Sequence, residues 1–132
     1  ISKDLVDTIL NYTKCHPYYT QQLCYYVWEN SNAKIAAENI AIAIKTIIQH
    51  QSVPYSSLCD TLTAVQKKVL HVIGVEGATE IFSKDIAKKY DLSPSSMQRA
   101  LDSLESKELI LKNAEYWIDD PFFIQWVKDK LR

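Results

Sequence analysis

Glycine is almost missing from this chain: it has two in 132 residues, Gly74 and Gly77. Loops that cradle phosphate with backbone N–H groups need several glycines close together. Neither a GxxxxGK loop nor a GxGxxG loop is therefore present. Without that cradle, and without a partner set for Mg²⁺, the chain is expected to catalyse nothing by itself. An excess of either charge is missing too. The formal net charge is −1, which supplies no global drive toward nucleic acid or a membrane surface. Long apolar runs are also lacking. "IAIAI" is far shorter than the ~20 residues a membrane span requires, and no signal-peptide pattern is seen.

Cysteine is sparse and odd in number. Cys15, Cys24 and Cys59 have no framework spacing, which suits free thiols in a reducing cytoplasm. Cys15, His16, Cys24, Cys59 and His71 show no C-x₂-C or H-x₃-H spacing, so no metal site is expected. Cys15 and His16 are adjacent, and adjacent side chains rarely face each other as a nucleophile and base must. No catalytic residue is assigned.

What is present is an ordinary globular composition, 47% apolar and 23% charged, in two halves. In the first, Leu5, Ile9 and Tyr12 recur at helical steps. Pro17 suits the first turn of a second helix, where a missing N–H costs nothing. Its apolar stripe is Tyr19, Leu23, Tyr26 and Val27, and "NSN" (30–32) ends it. A third helix is expected from about Ala36 to His50, with Ile40, Ala43, Ile44, Ile47 and Ile48 on one side. "QSVPYSSLCD" (51–60) holds a proline and three serines and no period, so it reads as a connector. The expected organisation is a helical bundle over 1–52, a connector at 53–59 and a second domain over 60–132.

The second half has a different rhythm. Thr63 with Gln66 forms a capping box before an apolar helix that Gly74 is expected to end. "EIF" is a short extended piece, and Ser83 caps "SKDIAKKYD". Ser93-Pro94 opens a further helix with Met97, Leu101 and Leu104 inward. "LILK" and "EYWID", split by "NA", make a β-hairpin, and Asp120-Pro121 starts a last helix. Helix, short strand, helix, tight turn, helix, hairpin is the order of a winged helix. The fold class is therefore mainly α: a small helical bundle followed by a helix-turn-helix with a β-hairpin wing.

The ordered set "CHPYYTQQLCYYVW", "LTAVQKKVLHVI", "LSPSSMQRALDSLESKELI" and "YWIDDPFFIQWV" resembles the C-terminal part of prokaryotic AAA+/STAND-type ATPases of the archaeal ATPase family. In that family a P-loop domain is followed by a helical lid and a winged helix. The match is closest at Leu62–Gln66 and at Asp120–Trp126. The chain begins with Ile and enters a helical pattern at once, and it reads as a portion of a longer protein. The resemblance implies a parent that uses ATP and Mg²⁺, with the missing N-terminal P-loop domain as the partner of this fragment. It also implies that His16 and Pro17 form a lid contact, the proline edge lying on the adenine of the nucleotide. A helix N-terminus favours an anion on general grounds. The family's glycine before His-Pro is Cys15 here, and a cysteine held at positive φ is strained.

The winged helix would meet DNA or a protein partner. On its third helix the outward face is expected to be Ser95, Ser96, Gln98, Arg99, Asp102, Ser103 and Ser106. Serine and glutamine reach base edges or phosphates, and Arg99 pairs well with guanine. Lys84, Lys88, Lys89 and, in the wing, Lys112 are candidates for phosphate contacts. Against this, residues 61–132 carry eleven Lys or Arg and eleven Asp or Glu, whereas dedicated DNA binders are usually basic. The alternative is a free-standing winged helix transcription regulator whose N-terminal helices dimerise through the isoleucine face.

Overall fold

A computed structural model describes residues 1–77 and 79–131. The chain divides into two compact units. One comprises Ile1–Val53 with Asp120–Phe122, and the other Pro54–Asp119 with the residues from Phe123 onward. Among the described residues the architecture is mainly helical with one two-stranded sheet. Among the described residues, no helix is long and apolar enough to cross a membrane.

The first unit is built from α1 (Lys3–Thr13), α2 (Pro17–Asn30) and the first part of α3 (Ala37–Asp60). Ser2 caps α1 by accepting the Leu5 N–H at 3.3 Å. The helix stops because Lys14 and Cys15 turn left-handed, with φ of 52° and 60°. The Cys15 N–H then closes back on the Leu10 carbonyl at 3.0 Å. Pro17 occupies the first position of α2, as expected. Buried Thr13 meets Thr20 at 2.7 Å between their hydroxyls, tying α1 to α2. The turn into α3 is held by amides: Asn39 Nδ2 donates to Asn30 Oδ1 at 2.8 Å, and Asn30 Nδ2 donates to the Asn39 carbonyl at 3.0 Å. Ile40, Ala43 and Ile47 are buried, so much of the isoleucine face serves the chain's own core. The Phe122 ring lies 5.6 Å from Tyr12 and 6.2 Å from Tyr19.

Residues 51–60, expected to be irregular, instead continue α3 to Asp60. Tyr55 and Cys59 are buried, and their four-residue step is helical. Burial also pushes the Cys59 thiol pKa up. The Tyr55 ring packs on Phe123 at 4.9 Å and on Trp126 at 5.8 Å. That aromatic burial outweighs Pro54, which sits inside the helix and has no N–H to give the His50 carbonyl.

The second unit continues with α4 (Ala64–Glu76), α5 (Lys84–Tyr90), α6 (Pro94–Ser106), β1 (Leu111–Lys112), β2 (Tyr116–Trp117) and α7 (Pro121–Lys130). The Thr63–Gln66 capping box is complete. Gly74 does not end α4. It lies within the helix, where an added Cβ would come 3.2 Å from Val127 Cγ1, so a close approach of α7 needs it. The C-cap is Gly77, at φ 77°. "EIF" forms a turn and not a strand: the Ser83 N–H bonds the Glu80 carbonyl at 2.9 Å. Asp91, left-handed at φ 53°, ends α5 and allows the Leu92 N–H to reach the Ala87 carbonyl. β1 and β2 are antiparallel, with Leu111 opposite Trp117 and Lys112 opposite Tyr116. Helix, turn, helix and hairpin wing follow in the order expected of a winged helix.

Two substitutions test this backbone account. Pro54 is exposed, so Pro54→Ala restores a helical hydrogen bond without opening the core. It should stabilise the protein by about 1–2 kcal/mol, part of the ~3 kcal/mol that an interior proline costs. Cys15→Gly should raise the melting temperature by a few degrees. Relief of a left-handed penalty of roughly 1 kcal/mol outweighs the added freedom of the unfolded chain. Thermal denaturation followed by circular dichroism reads both, and lower midpoints would contradict the account.

Candidate interaction surface

Helix α6 begins where Ser93 accepts the Ser96 N–H at 3.2 Å and Pro94 takes the first position. Met97, Ala100, Leu101 and Leu104 are buried along one side. The residues left on the outside fall into three groups that the sequence does not separate.

One group turns toward the wing. Gln98 Nε2 donates to Asp102 Oδ1 at 2.8 Å and to the Tyr116 hydroxyl at 3.3 Å. Lys112 Nζ lies over the same Tyr116 ring, 5.2 Å from its centroid. Tyr116, itself 6% exposed, thus joins recognition helix and hairpin. A second group turns toward α4. Gln66 Nε2 donates to Ser103 Oγ at 2.9 Å while its Oε1 accepts the Thr63 N–H at 3.0 Å. Ser96, half-buried, hydrogen-bonds Ser93. Ser96, Arg99 and Gln66 line a shallow cavity of 220 Å³ between the two helices.

The third group is open. Ser95 and Arg99, one turn apart, are both exposed, and Arg99 forms no hydrogen bond or ion pair among the described residues. The acids of α6 and its end, Asp102, Glu105 and Glu108, all follow Arg99. The first half of the helix therefore carries a cation and no carboxylate. Its N-terminal N–H groups add the positive end of the helix dipole.

The lysines of α5 divide as well. Lys84 and Lys88, a turn apart, are exposed and form no ion pair among the described residues. Lys89 instead approaches Glu76 Oε1 at 2.6 Å, and the Tyr90 hydroxyl donates to the same oxygen at 2.8 Å. These two partners hold the Glu76 carboxyl below its usual range, and Glu76 in turn raises Lys89. Lys89 therefore does not present its ammonium alongside Lys84 and Lys88. Tyr116 and the second bond of Gln66 escape sequence reading. Tyr116 reads there as one more strand residue, and Gln66 as a cap alone.

His16 and Pro17 lie in the other unit, at the start of α2. His16 is half-buried, its ring 4.5 Å from Tyr19, and gives no side-chain cap. Pro17 is exposed. Among the described residues no cluster of His, Cys, Asp or Glu is placed to hold a metal.

Residues 53–129 match the family model described as a probable winged helix domain. No curated protein and no solved structure matches the chain.

Proposed function

We propose, for a chain that belongs to this winged helix family, that it is a DNA-contacting module built on the first half of α6. The observation that carries this is the exposed pair Ser95 and Arg99 on a helix half that lacks acids, with Lys84 and Lys88 exposed on the preceding helix. Side chains near the start of a recognition helix are those that reach base edges in the major groove. Arg99 would read a guanine edge, Ser95 would meet a base or phosphate, and Lys84, Lys88 and Lys112 would meet phosphates. Ser96 and Gln98 would act by position, since their polar atoms are engaged within the domain.

A second reading is a protein-binding role for the same face. The equal numbers of acids and bases over 61–132, and the acids on the second half of α6, favour it.

The resemblance to AAA+/STAND-type ATPases supports a parent protein in which this chain is the non-catalytic C-terminal portion. Pro17, exposed at the first turn of α2, offers a small apolar edge to a flat ring, and His16 stands beside it. The sequence holds no glycine-rich phosphate loop. ATP and Mg²⁺ would be held by the P-loop domain that the resemblance implies, and the bound nucleotide would supply the energy of that protein's cycle.

DNA binding by the chain should be weak and steeply salt-dependent, because a few cations supply it. In fluorescence anisotropy with a short duplex at low salt, Arg99→Ala should weaken binding about tenfold, the size of one good base contact. Lys45→Ala, on exposed α3 in the other unit, should change it less than twofold. Equal losses, or tight binding indifferent to salt, would place the contact elsewhere.

A further inference from the structure

Helix α4 turns a second face to a cavity that the winged helix surface does not use. Lys67, Lys68, His71 and Val75 recur at helical spacing along that face, and all four line the cavity together with Lys89 and Tyr90 of α5. Lys130 and Leu131, at the end of α7, close it. Its volume is 780 Å³, within the range of small-molecule sites.

Four lysines from three helices line this cavity in a domain with as many acids as bases. Among the described residues, Lys67, Lys68 and Lys130 have no ion pair, and Glu76 engages Lys89 and the Tyr90 hydroxyl. Gathering like charges costs energy unless an anion joins them. The rest of the lining is largely apolar and aromatic. Val75 and Leu131 contribute aliphatic surface, and the His71 ring meets Tyr90 edge-on at 6.2 Å. His71 Nδ1 is shut off from solvent, so the ring meets the open cavity by its other edge or face.

We infer that this cavity binds a small organic anion: a flat apolar ring bearing a phosphate or carboxylate. The ring would lie against Tyr90, Val75 and Leu131. The acidic group would meet Lys67, Lys68 and Lys130 as charge-assisted hydrogen bonds. A DNA backbone fits less well, because a phosphodiester chain has no use for an apolar floor.

The test uses the whole chain and four probes followed by amide and His ring NMR shifts: 1-naphthyl phosphate, inorganic phosphate, 1-naphthol and a short duplex DNA. Naphthyl phosphate should saturate shifts at His71, Val75, Tyr90 and Leu131, and bind about tenfold tighter than inorganic phosphate or naphthol. The exposed double variant Lys68→Gln/Lys130→Gln should lose about tenfold in affinity for it, with an unchanged spectrum elsewhere. Arg99→Ala should leave it unaltered. Equal binding of naphthol would reduce the cavity to an apolar dent, and equal binding of inorganic phosphate to a nonspecific charge cluster. Duplex DNA shifting these same resonances would reassign the lysines to backbone contact. No saturable shift with naphthyl phosphate overturns the inference outright.

Discussion

Burial of Met97, Ala100, Leu101 and Leu104 along one side of α6 decides what the other side can present. Each fully buried leucine contributes about 1.5–3 kcal/mol, and Leu101 and Leu104 are both completely enclosed. A rotation of the helix by one residue would drive Arg99 or Gln98 into that apolar layer at a larger cost. The rotational setting of α6 is therefore fixed by its core, and Ser95 with Arg99 stays outward as a consequence. Polar bonds then refine the setting: Gln66 holds Ser103 on the α4 side, and Tyr116 holds Gln98 on the wing side.

Charge follows the same logic. A neutral domain still has local fields, and at ~0.15 M salt a charge is felt over about 8 Å. Asp102, three residues after Arg99, lies within that reach, so the stretch free of carboxylates is the first two turns of the helix, ahead of Asp102, Glu105 and Glu108. The pairing of Lys89 with Glu76 divides the α5 cations between two surfaces. Lys84 and Lys88 stay exposed on α5, while Lys89 joins the lysines of α4 and α7 around the second cavity.

Much of the fold is legible in the sequence, because its caps are local and chemical. Ser2, Thr63 with Gln66, Ser83 and Ser93 each accept the N–H three residues on, and Asp120 Oδ1 accepts the Phe122 N–H at 2.9 Å. The winged helix order follows from those punctuation marks. What is not legible depends on distant packing. Pro54 and three serines mask the Tyr55–Cys59 step, and only Phe123 and Trp126 make that step worth a helix. Gly74 signals a helix end locally, yet it is needed where α7 comes close. Of the site residues, the exposure of Arg99 could be read from the apolar period. The commitments of Ser96, Gln98 and Lys89 could not, because their partners lie on other elements or at a turn.

The central claim is that the first half of α6, with Lys84, Lys88 and Lys112, is the contact face. Amide shift mapping of the labelled chain during titration with duplex DNA at low salt tests it most directly. The account predicts the largest shifts at Ser95 to Arg99, with smaller ones at Lys84, Lys88 and Lys112, all fading as salt rises. Shifts confined to α2 or to the second half of α6, or their absence at a DNA concentration that gives full anisotropy change, would contradict it.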